Sequence, residues 1–326
     1  MRVGYIKQGR FPLKIIDKIK YFLGMVVVRE YEQGIVFQIP MLEKEKQMEH
    51  VLQNLFKQIQ KTKVDTIVFS ETCIHSSFYS KMETFLQNSG SNVLTGRKLM
   101  HYMNYEILEY ILNIQKTTMK EEDVFFLIKK DDKLDLQFLS RFIENCKMVN
   151  IVTNDIERFK KVQDSLYQRE NILIGVSNHK SKSLKRAKYI LNVNMEKKEI
   201  EKFKINRDAI IINFKEKIQY DNATFDGINI NYFQIAMPDE YVEQMEKINE
   251  VGEFDIACLY EAILLKKVEI AKKKITMLSK EELTKHKNII LDMIADDNIH
   301  ITGLIGNNGR IDETELIRNR QKMIRK

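Results

Sequence analysis

Proline and glycine are scarce in this chain, with 3 and 12 residues among 326. That scarcity argues against long disordered linkers, collagen-like repeats and low-complexity regions. Cys73, Cys146 and Cys258 are odd in number, widely scattered and without C-x-x-C spacing. The pattern argues for a reducing compartment and against a zinc site. No run of about 18 apolar residues occurs, so no membrane span is expected. The opening Met1-Arg2-Val3-Gly4-Tyr5-Ile6-Lys7 turns polar too soon for a signal peptide and reads as a first strand. The expectation is a cytoplasmic protein, and its abundant Lys, Ile and Asn fit an AT-rich bacterial genome.

The length suffices for two domains with separate cores. The formal charge of +7 is spread among interspersed acids and bases, concentrating only over 180–188 and at the extreme C-terminus. Dispersed charge offers no contiguous phosphate track, so nucleic acid is not the expected partner. No internal repeat is visible.

Along the chain, strands are expected at 2–6, 25–28, 35–39, 66–70 and 92–94, with helices at 13–22, 43–60 and 76–88. Gly34 marks a turn between an antiparallel pair. This is an N-terminal α/β lobe over 1–96. A connecting segment over 97–120 follows, where 98–115 has the spacing of one long helix. A second lobe over 121–238 contains strands at 123–128, 148–153, 172–176, 189–193, 209–214 and 228–235. Its helices are expected at 134–146 and 156–168, with a short helical turn at 184–188. A helical C-terminal segment covers 239–326, with helices at 240–248, 254–274, 280–295 and 313–324. Strands alternating with crossover helices predict a parallel sheet covered on both faces. The fold class is therefore α/β, in two lobes, the second Rossmann-like and mainly parallel.

The second lobe lacks the glycine-rich fingerprint. Where dinucleotide-binding folds place G-x-G-x-x-G, the chain has Lys129-Lys130-Asp131-Asp132-Lys133-Leu134-Asp135. Side chains prevent close approach of a pyrophosphate, and a capping carboxylate would take the N–H groups a phosphate needs. The lobe reads as a degenerate nucleotide-binding fold.

Its other strand ends are rich in amides: Thr153-Asn154-Asp155, Ser177-Asn178-His179, and Asn192 with Asn194. In open parallel sheets the carboxyl edge receives ligands, and these side chains suit a ribose, a base or another polar metabolite. The same residue types also cap helices and form turns. Lys180, Lys182, Lys185, Arg186 and Lys188 form a basic run that suits phosphate or nucleic acid. It has no interleaved aromatics to stack on bases. Gly303-Leu304-Ile305-Gly306-Asn307-Asn308-Gly309 fits a tight connection better than a phosphate cradle. Cys73-Ile74-His75 would share a face only if extended, and the histidines show no metal-ligand spacing. No catalytic residue, metal set or cofactor is assigned. Phe254, Ala257, Cys258, Tyr260, Ile263 and Leu264 form an apolar stripe suited either to packing on a sheet or to an oligomer contact.

The element order, with Ile151-Val152-Thr153-Asn154 similar to the end of a second strand in the shikimate group, resembles the shikimate and amino-acid dehydrogenases. The resemblance implies an interdomain cleft, a nicotinamide cofactor and a lysine–aspartate pair. The residues themselves favour a non-redox binding or regulatory protein that recognises a small polar metabolite or a protein partner. The alternatives are a dehydrogenase-like enzyme with an atypical cofactor loop and a nucleic-acid-associated protein using the basic run.

Overall fold

A computed structural model describes residues 1–9, 25–41, 45–129, 136–220, 225–249, 253–275 and 289–324. The chain divides into two compact units, each made of two stretches. The first joins Met1–Gly96 to Ala236–Ile299, and the second joins Arg97–Ile235 to His300–Lys326.

In the first unit, β1 (Val3–Gln8), β2 (Val27–Glu30), β3 (Ile35–Ile39), β4 (Thr66–Phe69) and β5 (Asn92–Leu94) form a sheet in the order β2-β3-β1-β4-β5. All neighbours are parallel except β2 and β3, which run antiparallel through the turn at Tyr31 to Gly34. Gly34 fits there because an added Cβ would lie 2.5 Å from the Val3 carbonyl oxygen. Both β1 and β3 are buried at every position, as strands covered on two faces must be. One face packs Ile6, Phe37 and Ile67 against the Glu45–Thr62 and Tyr79–Asn88 helices. The other packs Tyr5, Val36 and Val68 against Phe254, Cys258 and Leu259, so much of the apolar stripe is consumed by this sheet. The helix expected at 13–22 lies outside the described residues.

A carboxylate ties the helices of this unit together. Asp297 accepts from the hydroxyls of Tyr241 and Tyr260, both at 2.8 Å, and from Lys267 Nζ at 2.7 and 2.8 Å. Burial opposes both charges, yet the pairing prevails, holding Asp297 below and Lys267 above the usual ranges.

The second unit contains β6 (Asp123–Ile128), β7 (Met148–Thr153), β8 (Gly175–Ser177), β9 (Tyr189–Asn192), β10 (Ile210–Asn213) and β11 (Ile228–Ile230). They form one wholly parallel sheet in the order β11-β10-β9-β6-β7-β8. Counted within the unit this is the 3-2-1-4-5-6 order of dinucleotide-binding sheets, reversing between β6 and β9. Two further strands, β12 (Tyr232–Ala236) and β13 (His300–Ile305), pair as a separate ribbon.

Four expectations differ from the structure. The helix expected over 98–115 is two, Arg97–Tyr102 and Asn104–Ile114, interrupted at Met103 with φ −92° and ψ 21°. Leu99, Met103, Ile107 and Ile111 are all fully buried, so apolar spacing runs through the break unchanged. The strand expected over 228–235 stops at Asn231, which separates β11 from β12. The helical turn expected at 184–188 lies instead at Lys180–Leu184, ending on the buried anchor Leu184. Finally, the segment 239–326 holds helices at Asp239–Met245, Ile256–Ile275, Ile289–Asp296 and Glu313–Ile324 but also β13, whose exposed and buried positions largely alternate, while 280–288 of the helix expected at 280–295 lies outside the described residues. Among the described residues, no helix is long and apolar enough to cross a membrane.

Candidate ligand-binding edge

The carboxyl edge of the six-stranded sheet gathers side chains from four successive strand ends. After β6, the Lys129 backbone N–H donates to Asn194 Oδ1 at 2.7 Å, joining the two loops at the point where the strand order reverses. Lys129 Nζ lies 3.1 Å from Glu199 and 3.5 Å from Glu196. The hydrogen bond donated to Glu199 and the charge of Glu196 hold this ammonium above its usual range. The lysine is poised by acids rather than by glycines. Asp131, Asp132 and Asp135 lie outside the described residues.

After β7, Thr153 is fully buried and its hydroxyl accepts from the Asp155 N–H at 3.0 Å, a local turn that leaves Asn154 exposed. Asp155 precedes the Ile156–Glu170 helix without a side-chain cap bond. After β8, Ser177 Oγ accepts from the His179 N–H at 3.1 Å and from Ser183 Oγ at 3.2 Å. Asn178 and His179 are exposed. Lys180 Nζ donates to Asn154 Oδ1, bridging the two strand ends, and stands 5.5 Å from the centre of the Phe203 ring. Burial holds the Lys180 amine below the usual lysine range, offset in part by Glu199. Thr153, Asn154, Asp155, Ser177, Asn178, His179 and Lys180 are thus brought to one side of the sheet edge.

Asn192 is placed differently. Only 1% exposed, it spends both amide hydrogens inside the protein, on the Met195 carbonyl and Asn213 Oδ1, each at 3.0 Å. Asn213 donates to Asn231 Oδ1 at 3.2 Å, and Asn231 donates to Asn307 Oδ1 at 2.7 Å. This ladder stitches β9, β10 and the end of β11 together, leaving the Asn192 side chain no donor for a ligand.

The basic run is divided by topology. It connects two parallel strands, so its start lies at the carboxyl edge and its end at the amino edge. Lys188 there lies 3.4 Å from Glu122. Lys182, Lys185 and Arg186 are exposed along the crossing. No single edge carries all five charges.

Cys73 and His75 do not share an extended face. Cys73 belongs to the short Glu71–Ile74 helix and is fully buried, and burial pushes its thiol up to about 12. Among the described residues, no group of three or more His, Cys, Asp or Glu side chains could hold a metal ion. Sequence reading passed over Lys7 at the end of β1, 5% exposed and 3.5 Å from Glu253. It also passed over Glu196, Glu199 and Phe203. A lone lysine ending a strand and acids in a charged helix carry no spacing signal.

No family model matches the chain, and no curated protein does. Among solved structures it is similar to a shikimate dehydrogenase in complex with NADP+, at 8% identity and a TM-score of 0.29, over 81% of this chain and 95% of that one. It is also similar to an L-tryptophan dehydrogenase from Nostoc punctiforme, at 8% identity and a TM-score of 0.29, over 99% and 88%. An ornithine carbamoyltransferase from Pyrococcus furiosus aligns at 10% identity and a TM-score of 0.25, over 68% and 74%.

Proposed function

We propose that the carboxyl edge of the six-stranded sheet binds a small polar ligand without redox chemistry, and that the chain is a binding or regulatory protein. One observation supports this above others: Lys129 and Asn194 meet where the strand order reverses, between β6 and β9, and Asn154 and Lys180 bridge the next strand ends, those of β7 and β8. A crevice forms outside the strands where successive connections leave in opposite directions, and open α/β sheets take ligands there. The two ammonium groups attract an anionic or carbonyl-bearing ligand, while exposed Asn154 and Asn178 offer amide donors and acceptors. Lys129 and Lys180 are held by internal partners that a ligand would replace. Binding here exchanges one set of polar contacts for another, which favours reversible occupancy.

Native mass spectrometry of freshly isolated protein tests this reading. A bound small molecule is expected, and replacing Asn154, Asn178 and Asn194 together by alanine should release it. An adduct that survives the triple replacement would defeat the proposal.

The strand order itself favours a second reading, a dehydrogenase-like enzyme in which Thr153, Asn154 and Asp155 face an adenosine ribose. Fluorescence titration with NADH and NADPH separates the two. A dissociation constant in the micromolar range, about −8 kcal/mol, would promote the enzyme. Unchanged nicotinamide emission favours the non-redox site.

A further inference from the structure

Two stretches of the second unit lie side by side although β9 separates them in the chain. The Lys204 N–H donates to Ser181 Oγ at 3.1 Å, and the Asn206 N–H donates to the Leu184 carbonyl at 2.9 Å. Both links advance in step, so 202–207 runs alongside 181–186 in the same direction. Leu184 and Ala187 are fully buried, and Phe203 and Ile205 pack against the same apolar cluster. Both stretches are thereby fixed to one face of the sheet.

That anchoring turns the charged side chains outward. Residues three and four apart are neighbours on a helical turn, so 182, 185 and 186 share one side of it, away from the buried Leu184. Lys185 follows the turn in helical conformation, with φ −59° and ψ −23°. Across 182–186 and 202–207 the exposed residues are Lys182, Lys185, Arg186, Lys202, Lys204 and Arg207, every one a cation. Asp226 takes Arg207, and the adjoining exposed acid Glu201 lies 3.6 Å from Lys197. The other five cations form no ion pair among the described residues, and Lys202 feels Glu199 at longer range. Like charges on one support repel, and a polyanion laid across them relieves the repulsion.

The make-up of the patch selects among polyanions. A protein–protein interface has an apolar core depleted in lysine, whereas no apolar residue is exposed in these two stretches. A helix lying on a membrane buries apolar side chains in the lipid, and the patch offers none. Nucleic-acid interfaces are polar and strongly positive. Single strands stack their bases on aromatic rings, and no ring is exposed here, which leaves the phosphates of a duplex. We infer that the face made by 182–186 and 202–207 binds the phosphate backbone of a nucleic-acid duplex, without reading its sequence, through Lys182, Lys185, Arg186, Lys202 and Lys204. Read in chain order these cations make no contiguous track, because β9 stands between the two halves; folding assembles it.

Fluorescence anisotropy with the full chain and a labelled DNA duplex of about 20 base pairs tests this. Five neutralised phosphates give an expected slope of about −4.5 for log K against log salt, a loss of about 500-fold between about 50 and about 200 mM. K182A or K204A alone should reduce the slope by about 1. The triple variant K182A/K185A/R186A should leave a slope of about −2. R158A/K160A/K161A removes the same charge from exposed positions on the Ile156–Glu170 helix and should leave the slope unchanged. Two duplexes of unrelated sequence should bind alike. Undetectable or salt-insensitive binding, an equal loss in the control variant, or tighter binding of the separated strands would overturn the assignment. So would equal affinity for polyglutamate, which indicates an acidic protein partner, or for phosphatidylserine vesicles, which indicates a membrane.

Discussion

Arg320 Nη2 stands 2.5 Å from Glu122 Oε1, and the carboxylate it meets is only 2% exposed. The pair sits beside the first residue of β9, where Arg320 also donates to the Tyr189 hydroxyl at 3.2 Å and to Thr117 Oγ1 at 3.2 Å. The Tyr189 hydroxyl in turn donates to Gln115 Oε1 at 2.6 Å. Carboxylate, guanidinium, phenol and amide thus close the amino edge of the sheet, opposite the proposed ligand edge.

Removing one member of such a pair leaves a buried charge with too little compensation. Arg320→Ala should lower stability by about 3–5 kcal/mol, read from urea unfolding followed by circular dichroism. The double replacement Glu122→Gln with Arg320→Met should recover most of that loss. Equal loss in single and double variants would show that the effect comes from packing rather than charge.

The asparagine ladder invites a second measurement. Asn213→Ala removes the acceptor of Asn192 and the donor to Asn231, both buried. A loss of about 1–3 kcal/mol is expected for the unsatisfied groups left behind. Asn154→Ala, at an exposed position, should cost under about 0.5 kcal/mol. Equal costs for the two would remove the distinction drawn between a buried, paired amide and an exposed one.

Acid should weaken the second unit through His101. Burial lowers its pKa to about 4 from 6.5, with the ring edge to face against Phe214 at 5.8 Å. The folded state keeps the ring neutral, so its stabilising effect is whole above the unfolded value of 6.5. As pH falls from there to about 4 the unfolded chain takes up a proton that the folded chain refuses, and stability declines by up to about 3 kcal/mol. Chemical denaturation at pH 7.5 and pH 4.5 should show this loss, and His101→Phe should flatten it. An unchanged slope in the variant would assign the acid sensitivity elsewhere.

The thiols should be poor nucleophiles while the chain is folded. Burial pushes both Cys73 and Cys146 up to about 12, and thiolate is the reactive form. A disulfide reagent at pH 8 should therefore label these two cysteines far more slowly in buffer than in urea. Comparable rates at either one would contradict its placement.

The two sheets were legible in the sequence because buried parallel strands are written as apolar runs such as Val124 to Ile128 and Ile67 to Phe69. The break at Met103 was not, since a residue between two helices buries the same stripe as one within a helix. β13 was hidden because Gly303 and Gly306 draw attention to a turn while Ile301 and Leu304 carry the strand pattern. Strand ends could be located, so the place of Asn154, Ser177 and Lys180 at the carboxyl edge could be read. Their sorting from Asn192 could not be made, because an amide read alone does not disclose whether its neighbour in space is a carbonyl or an open edge.

The alternating path of the backbone has a consequence for biosynthesis. After 1–96 the ribosome releases 97–235, then 236–299, which belongs with 1–96 to the other unit, and only afterwards the stretch from His300. Until that final portion emerges, β12 lacks its ribbon partner β13 and Glu122 lacks the guanidinium of Arg320. A nascent chain therefore holds an unfinished six-stranded unit while the intervening residues are translated. That is the interval in which a chaperone would have the most to grip.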